Sequence, residues 1–164
     1  MNLITLDFET YYDKDYSLKK LTMEEYVRDP RFEVIGVAVK VNNGETEWAS
    51  GTHEQLSKYL QAFDWENSMV LAHNTMFDGA ILNWHYSIMP RVYTDTMCIA
   101  RAIHGVETSA SLRAVSEKYN IGAKGTEVVQ ALGKRREDFA ESELDRYGDY
   151  CVNDVNLTHK LFTI

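Results

Sequence analysis

The chain has 164 residues, a length that fits one domain with a sizeable core. Hydrophobic residues make up 45% and charged residues 26%, which excludes an intrinsically disordered chain. The formal charge of −8 argues against a broad basic surface that holds long stretches of nucleic acid. The sequence opens without the basic region and apolar core of a signal peptide, and no apolar run reaches membrane-spanning length. We therefore expect one cytoplasmic domain over 1–164, without membrane association.

Apolar periodicity and turn signals predict alternating strands and helices. A capping-box pattern at Thr22–Glu25 begins a short first helix that Pro30 ends, and Asn43-Gly44 predicts a hairpin turn. Strands are expected at 2–8, 32–42, 45–50, 68–73 and about 91–94, and further helices at about 53–63, at about 76–87, from Asp95 to about 104, at Ser111–Tyr119 and at Glu141–Phe162.

The last predicted helix has an apolar stripe that should face the core. Its members recur at steps of three or four residues: Leu144, Tyr147, Cys151, Val155, Thr158 and Phe162. Before it, the glycines of segment 122–138 predict a mobile loop around a short helix. The cysteines, Cys98 and Cys151, match neither a zinc site nor a disulfide framework in their spacing, so reduced, partly buried thiols are expected.

Acidic residues stand at three points of this pattern. Asp7 and Glu9 follow the apolar run of the first strand, and residues two apart in a strand share a face, so both carboxylates project together. Asp78 lies in the predicted helix at 76–87. Asp154 lies in the last helix, with Tyr150 one turn before it on the same side.

Carboxylate oxygens are the ligands that hard cations such as Mg²⁺ and Mn²⁺ prefer. Two such ions about 3.5–4 Å apart clamp the attacking and leaving oxygens when a phosphodiester is hydrolysed by in-line displacement. The order and spacing of the acidic motifs therefore indicate two-metal phosphodiester chemistry. Two divalent ions would also halve the formal charge of the chain.

The motifs resemble Exo I, Exo II and Exo III of the DEDD (DnaQ-like) superfamily of 3′–5′ exonucleases, in the subtype with tyrosine in the third motif. The likeness is strongest to the proofreading domain of family-A DNA polymerases, particularly phage ones, and implies a ribonuclease-H-like α/β fold with a mixed sheet of about five strands flanked by helices. The segments that carry it are Leu6-Asp7-Phe8-Glu9-Thr10, Leu18-Lys19-Lys20, His73-Asn74-Thr75-Met76-Phe77-Asp78, Asp95-Thr96-Met97 and Tyr150-Cys151-Val152-Asn153-Asp154.

The resemblance also implies roles for the acidic residues. Asp7 would bridge two divalent ions, Mg²⁺ or Mn²⁺, and Glu9 and Asp154 would complete the shell of the tighter one. Asp78 would hold the second ion, partly through water. Tyr150 would orient the attacking water, so the expected catalytic set comprises these four acids and this tyrosine.

Substrate contacts are implied for the first two motifs. Asn74 and Phe77, with the backbone around Phe8 to Thr10, would seat the 3′-terminal nucleotide. The superfamily subtype without the tyrosine has a histidine five residues before the last aspartate. That position is Asp149 here, and His159 is a poor substitute.

Other polar side chains have simpler interpretations. Asp95 is expected to cap a helix, and His73 to hold a backbone group rather than a metal. The tyrosines at 11, 12 and 16 form a cluster on which bases could stack, with a purely structural role as the alternative. The basic run at 134–136 is expected to be solvated, with phosphate contact as the alternative.

The resemblance and the residues together predict a single exonuclease domain that releases nucleoside 5′-monophosphates from the 3′ end of single-stranded DNA, in proofreading or DNA processing during phage replication in the host cytoplasm. A separate DNA polymerase is a candidate partner.

Two alternatives to this function stay open. One is the same chemistry on RNA or very short oligonucleotides, because the motifs contact backbone and metals more than bases or 2′-hydroxyls. The other is a non-catalytic polymerase-docking module, which a lost carboxylate would support; all four are present.

Overall fold

A computed structural model describes residues 1–123, 125 and 130–164 of the chain. One mixed sheet has the order β3-β2-β1-β4-β5, and β1 pairs antiparallel with β2 and parallel with β4. The predicted five-stranded α/β architecture is confirmed. The strands are Asn2–Thr10 (β1), Val34–Val41 (β2), Thr46–Ser50 (β3), Ser68–Ala72 (β4) and Val92–Asp95 (β5).

The helices begin where the local sequence signals place them. Thr22 and Glu25 form the expected reciprocal capping box, and the Ser111 side chain accepts a hydrogen bond from the Ala114 backbone N–H. None of the described helices is long and apolar enough to span a membrane. The helices are Met23–Arg28 (α1), His53–Gln61 (α2), Thr75–Tyr86 (α3), Thr96–His104 (α4), Leu112–Tyr119 (α5) and Glu141–Thr163 (α6).

Strand β1 is longer than its apolar run predicts. It continues to Thr10 because β2 pairs with it as far as Val34, with an irregularity between Glu9 and Thr10. Asp7 and Glu9 therefore lie inside the central strand, rather than Glu9 following it. Their positions alternate with Leu6 and Phe8, so the two sets of side chains project to opposite faces of the sheet.

The two faces of the sheet have different cores. The larger core contains apolar side chains of β1 with helices α2 and α3, including Leu6, Phe8, Leu56 and Ile81. The opposite face carries α6, whose Cys151 and Val155 pack with Ala38 of β2. The predicted apolar stripe of α6 is confirmed: Tyr147, Cys151, Val155 and Thr158 are buried and Leu144 and Phe162 are half-buried.

Helix α6 lies close to the sheet because two glycines contact one tryptophan. A Cβ atom on Gly36 of β2 would lie 2.3 Å from Cη2 of Trp48, and a Cβ on Gly148 of α6 would lie 2.5 Å from its Cδ1. Only a residue without a side chain allows so close an approach. The Trp48 indole thus sets the position of α6 over β1 and β2.

Two expectations about single residues are corrected. Cys98 is exposed on α4, whereas Cys151 is fully buried because its side chain lies on the face of α6 that packs on the sheet; both are free thiols. The basic run at 134–136 is not a solvated charge run. Lys134 pairs with Glu143, Arg135 with Glu33, and the Arg136 Nε donates to Ser50.

The predicted mobile loop at 122–138 falls partly outside the described residues, which omit 124 and 126–129. Within the described part, the expected short helix is a 3₁₀ turn at Arg136–Asp138. Gly125 contacts Tyr150 of α6: a Cβ at Gly125 would lie 3.2 Å from the tyrosine Cδ2.

We expect Gly148→Ala to lower the free energy of unfolding by about 1–2 kcal/mol, because the added methyl meets the indole of Trp48 and overpacking costs more than alanine gains in helix propensity. Urea unfolding measures this difference. In a Trp48→Leu background the same substitution should stabilise the protein, since the contact is gone. A Gly148→Ala protein more stable than the wild type would contradict the close packing of Gly148 on Trp48.

Candidate metal centre

The carboxylates of Asp7 and Glu9 project from β1 toward α6. The Cys151 Sγ lies 3.3 Å from the Asp7 carbonyl oxygen and 3.4 Å from its Oδ2. One ligand atom from each of Asp7, Glu9 and Cys151 falls within 4.8 Å of the others. The alternation of β1 and the depth of α6 therefore bring two acids and a thiol together.

Asp78 reaches the same end of β1 from the other side of the sheet. It lies in the first turn of α3, is 2% exposed, and its Oδ1 accepts a hydrogen bond of 3.0 Å from the Phe8 backbone N–H. The pairing of β1 with β4 extends only to Thr5 and Leu71, so the carboxylate bonds to β1 beyond the last strand pair. This contact places Asp78 beside Asp7.

The pKa of Asp78 is raised well above its ordinary value, first by burial and then by the neighbouring Asp7, while the Phe8 N–H opposes the shift. Burial, Asp7 and Glu9 likewise raise the pKa of the Cys151 thiol. In the metal-free protein the surroundings therefore favour the protonated, uncharged form of both groups. A divalent cation would reverse the balance, because opposite charge nearby favours the ionised form.

The third motif lies on α6 above these groups. Asp154 is 5% exposed and follows Cys151 by three positions, so it lies on the side of the helix that faces Asp7. Tyr150 is half-buried one turn before Asp154. Direct contacts join Asp7, Glu9 and Cys151, and the hydrogen bond from the Phe8 N–H holds Asp78 at the same end of β1. The helix repeat adds Asp154 and Tyr150.

The donor set fits the predicted metals. The four expected carboxylates would supply oxygen ligands, and Asp78 and Asp154 are almost fully buried, where an isolated charge would be costly. Such a set suits Mg²⁺ or Mn²⁺ better than a thiophilic ion, although the Cys151 sulfur lies at its edge.

A groove of about 470 Å³ opens beside the acids. Its walls include the predicted substrate residues Phe8, Thr10 and Phe77, together with Glu9. The other lining residues are Tyr12, Asp13, Ser17, Leu18, Tyr26, Leu132, Tyr147 and the lysines Lys14, Lys19 and Lys20. Its size and mixed aromatic and basic lining suit the end of a nucleic-acid strand.

The predicted substrate residues have different environments. The Phe8 ring is buried and stacks on Tyr86, so this side chain belongs mainly to the core. The Thr10 hydroxyl forms a 2.8 Å hydrogen bond with the Tyr26 hydroxyl. Phe77 is half-buried against Tyr26, and Asn74 has a left-handed backbone conformation just before α3.

Asp95 and His73 behave as expected. The Asp95 carboxylate caps α4 by accepting from the backbone N–H of Met97, and it also accepts from the N–H groups of Asn74 and Thr75 at the start of α3. It thereby holds the second motif in place. The His73 ring forms 2.8 Å hydrogen bonds with the Thr96 hydroxyl and the Ala110 carbonyl.

Of the three clustered tyrosines, Tyr16 is unavailable for base stacking. It is fully buried, and its hydroxyl donates to the Tyr26 carbonyl at 2.6 Å. The ring of Tyr11 contacts Arg135, whereas Tyr12 lines the groove. His159, on the far part of α6, forms a hydrogen bond with Asn43 in the β2–β3 turn.

Sequence reasoning missed two members of this site. Cys151 was expected only as a core residue, yet its sulfur contacts Asp7. Tyr147, also assigned to the core stripe, donates a hydrogen bond to the Glu9 carboxylate. The available signal was helical spacing, since positions 147, 151 and 154 lie on one side of α6.

Comparisons with known proteins give a family and a fold. A family model described as 3′–5′ exonuclease matches residues 4–164. A search of curated proteins gave no match. Among solved structures, RNase D of Trypanosoma brucei in complex with GMP is similar with a TM-score of 0.69 and 17% identity, over 97% of this chain and 49% of that one.

Two further structures have similar scores. Brucella melitensis NrnC gives a TM-score of 0.67 and 14% identity, over 98% of this chain and 70% of that one. The family B DNA polymerase of Pyrobaculum calidifontis gives 0.66 and 16%, over 98% of this chain and 24% of that one. At these identities the likeness shows the fold alone.

The family match adds the activity to this fold. DEDD exonucleases use two divalent metal ions, and NrnC is known with bound Mg²⁺. With a family model that spans nearly the whole chain, the protein belongs to the 3′–5′ exonuclease family of the DEDD superfamily and is a phosphodiester hydrolase.

Proposed function

We propose that the protein is a two-metal exonuclease that removes nucleoside 5′-monophosphates singly from the 3′ end of single-stranded DNA. The observation that carries the proposal is the meeting of Asp7, Glu9 and Asp78 at one end of β1, beneath the α6 segment with Tyr150 and Asp154. No carboxylate of the expected set is missing, which favours an enzyme over a docking module.

In this proposal Asp7, Glu9, Asp78 and Asp154 hold the ions. When bound, two divalent ions neutralise the phosphodiester, lower the pKa of the attacking water and stabilise the leaving oxyanion. The Tyr150 hydroxyl orients that water from the α6 side. The Asp78 carboxylate is fixed by the Phe8 N–H, so it is oriented before any ion arrives.

The groove beside Glu9 receives the 3′ end. Lys14, Lys19 and Lys20 supply its positive charge, and Lys20 also pairs with Asp15. The cations of the basic run at 134–136 are held by contacts within the chain. With few cationic groups to neutralise phosphates, the protein should grip only the last few nucleotides. Such a short grip suits proofreading or DNA processing beside a separate polymerase that holds the strand, as in phage replication.

RNA is the second candidate substrate. It is favoured by the structural neighbours, which include T. brucei RNase D and RRP6 and a NrnC structure bound to pGG. Because backbone and metal contacts dominate the proposed site, the chemistry is the same for either polymer. The difference lies in the groove, where a 2′-hydroxyl must be accepted or rejected.

We expect the wild-type protein to shorten labelled single-stranded DNA from its 3′ end with Mg²⁺ or Mn²⁺ and to be inactive with EDTA. Asp7→Ala and Asp154→Ala should abolish the activity while the fold survives. Clustered carboxylates repel one another, so removing one costs catalysis without destabilising the fold. Duplex DNA, RNA and a dinucleotide are compared in the same assay. Activity that persists in EDTA would contradict the two-metal mechanism. Faster cleavage of RNA than of DNA would identify RNA as the substrate.

Tyr150→Phe should lower kcat by about 10²-fold or more, the range for a positioned polar group, while leaving Mn²⁺ affinity nearly unchanged. Single-turnover digestion of DNA and isothermal titration of Mn²⁺ measure the two effects. Full activity in Tyr150→Phe would show that its hydroxyl has no part in the reaction.

In the metal-free protein Asp78→Asn should raise stability at neutral pH. The folded pKa of Asp78 is raised, so its stabilising contribution is present below the unfolded pKa and is lost as pH rises through the folded pKa. The asparagine amide oxygen still accepts from the Phe8 N–H and carries no charge.

Urea unfolding in EDTA, from about pH 4 to pH 8, should therefore show an advantage of Asp78→Asn that grows with pH. Saturating Mg²⁺ should reverse the order, because only the wild type binds the ion fully. Parallel pH profiles of the two proteins in EDTA would refute the assignment of a raised pKa to Asp78.

A further inference from the structure

Tyr147 is a second tyrosine of α6 that contacts the site. It lies one turn before Tyr150 and Cys151, is 4% exposed, and its hydroxyl donates a hydrogen bond to the Glu9 carboxylate. Both side chains line the groove beside the acids. Tyr147, a member of the apolar stripe of α6, thus makes a polar contact with Glu9 of β1.

The ring of Tyr147 is held on two sides. Its centroid lies 6.3 Å from that of Trp48 and 5.6 Å from that of Phe139. The next residue, Gly148, makes the close approach to Trp48 that sets the position of α6. A tyrosine fixed in this way can place its hydroxyl accurately, because neither its helix nor its ring is free to shift.

Glu9 needs such a partner. Its side chain has one more rotatable bond than that of Asp7, and it is half-buried at the edge of an open groove. A hydrogen bond from a neutral donor to a carboxylate is charge-assisted and selects one orientation.

We propose that Tyr147 is a positioning residue for metal binding, whose hydroxyl holds the Glu9 carboxylate in the orientation that binds a divalent ion. The inference rests on the proposed function, in which Glu9 is a ligand. It extends the contribution of α6 beyond Tyr150 and Asp154. Mutation of a group that orients a metal ligand typically costs about 10–100-fold in metal affinity or activity.

The test is Mn²⁺ affinity, measured by electron paramagnetic resonance on the full chain without substrate. Tyr147→Phe keeps the ring and removes the hydroxyl, and it should weaken Mn²⁺ binding by about 10–100-fold. In the DNA assay, kcat at fixed Mn²⁺ should fall similarly while KM for the oligonucleotide changes little. Tyr86→Phe is the matched control, because Tyr86 is buried on the opposite face and its hydroxyl has no partner among the described residues.

A double-mutant cycle separates positioning from packing. In a Glu9→Gln background Tyr147→Phe should add little, because the carboxylate that it orients is gone. Unchanged Mn²⁺ affinity in Tyr147→Phe, or equal losses in both backgrounds, would overturn the inference and leave the proposed function standing. A wild-type protein that binds no Mn²⁺ would overturn both.

If Tyr147→Phe fails to fold, as judged by circular dichroism, ring-labelled tyrosine NMR of the wild type replaces it. Mg²⁺ should shift the Tyr147 resonances and leave those of Tyr86 in place. The shift should disappear in Glu9→Gln. A Tyr147 signal that ignores Mg²⁺, or one that shifts equally in Glu9→Gln, would contradict the positioning role.

Discussion

The close contact of α6 with the sheet is the constraint on which the rest of the site depends. The Trp48 indole lies against Gly36 of β2 and Gly148 of α6, at distances that leave no room for a methyl group on either glycine. This contact sets the distance between α6 and β1, and so the distance of each site residue of α6 from the strand. A bulkier packing layer would lift Asp154 and Cys151 away from Asp7, so an apolar contact decides the geometry of a polar centre.

At that centre carboxylates of like charge lie close together in a largely buried environment. Asp78 is almost fully buried beside Asp7, and the hydrogen bond from the Phe8 N–H offsets only part of the cost. The protein therefore maintains an arrangement that is unfavourable until cations bind. Binding then contributes stability as well as catalysis, because ions that bind the folded state alone shift the folding equilibrium by mass action.

Two cations of the basic run at 134–136 are engaged within the chain. Arg135 and Lys134 form ion pairs within the chain, and Arg135 also covers the ring of Tyr11. These contacts tie the segment before α6 to Glu33, Tyr11 and Glu143. The same fold occurs in a family B DNA polymerase and in an RNase D, so architecture alone does not select the polymer.

The sequence by itself determined the elements and the acidic motifs, because strand alternation, helix caps and helical spacing are local properties, and the mixed sheet was expected from the resemblance that those motifs carry. Among the described residues, the five predicted strands and the six helices predicted outside segment 122–138 are present, although Glu9 proved to lie within β1. Only the tertiary structure decided which side chains meet across elements: the Cys151 sulfur on Asp7, the Tyr147 hydroxyl on Glu9, and Asp78 on the Phe8 N–H. Those contacts join residues about 70 or more positions apart, and their geometry follows from how closely α3 and α6 pack on the sheet, which no local pattern records.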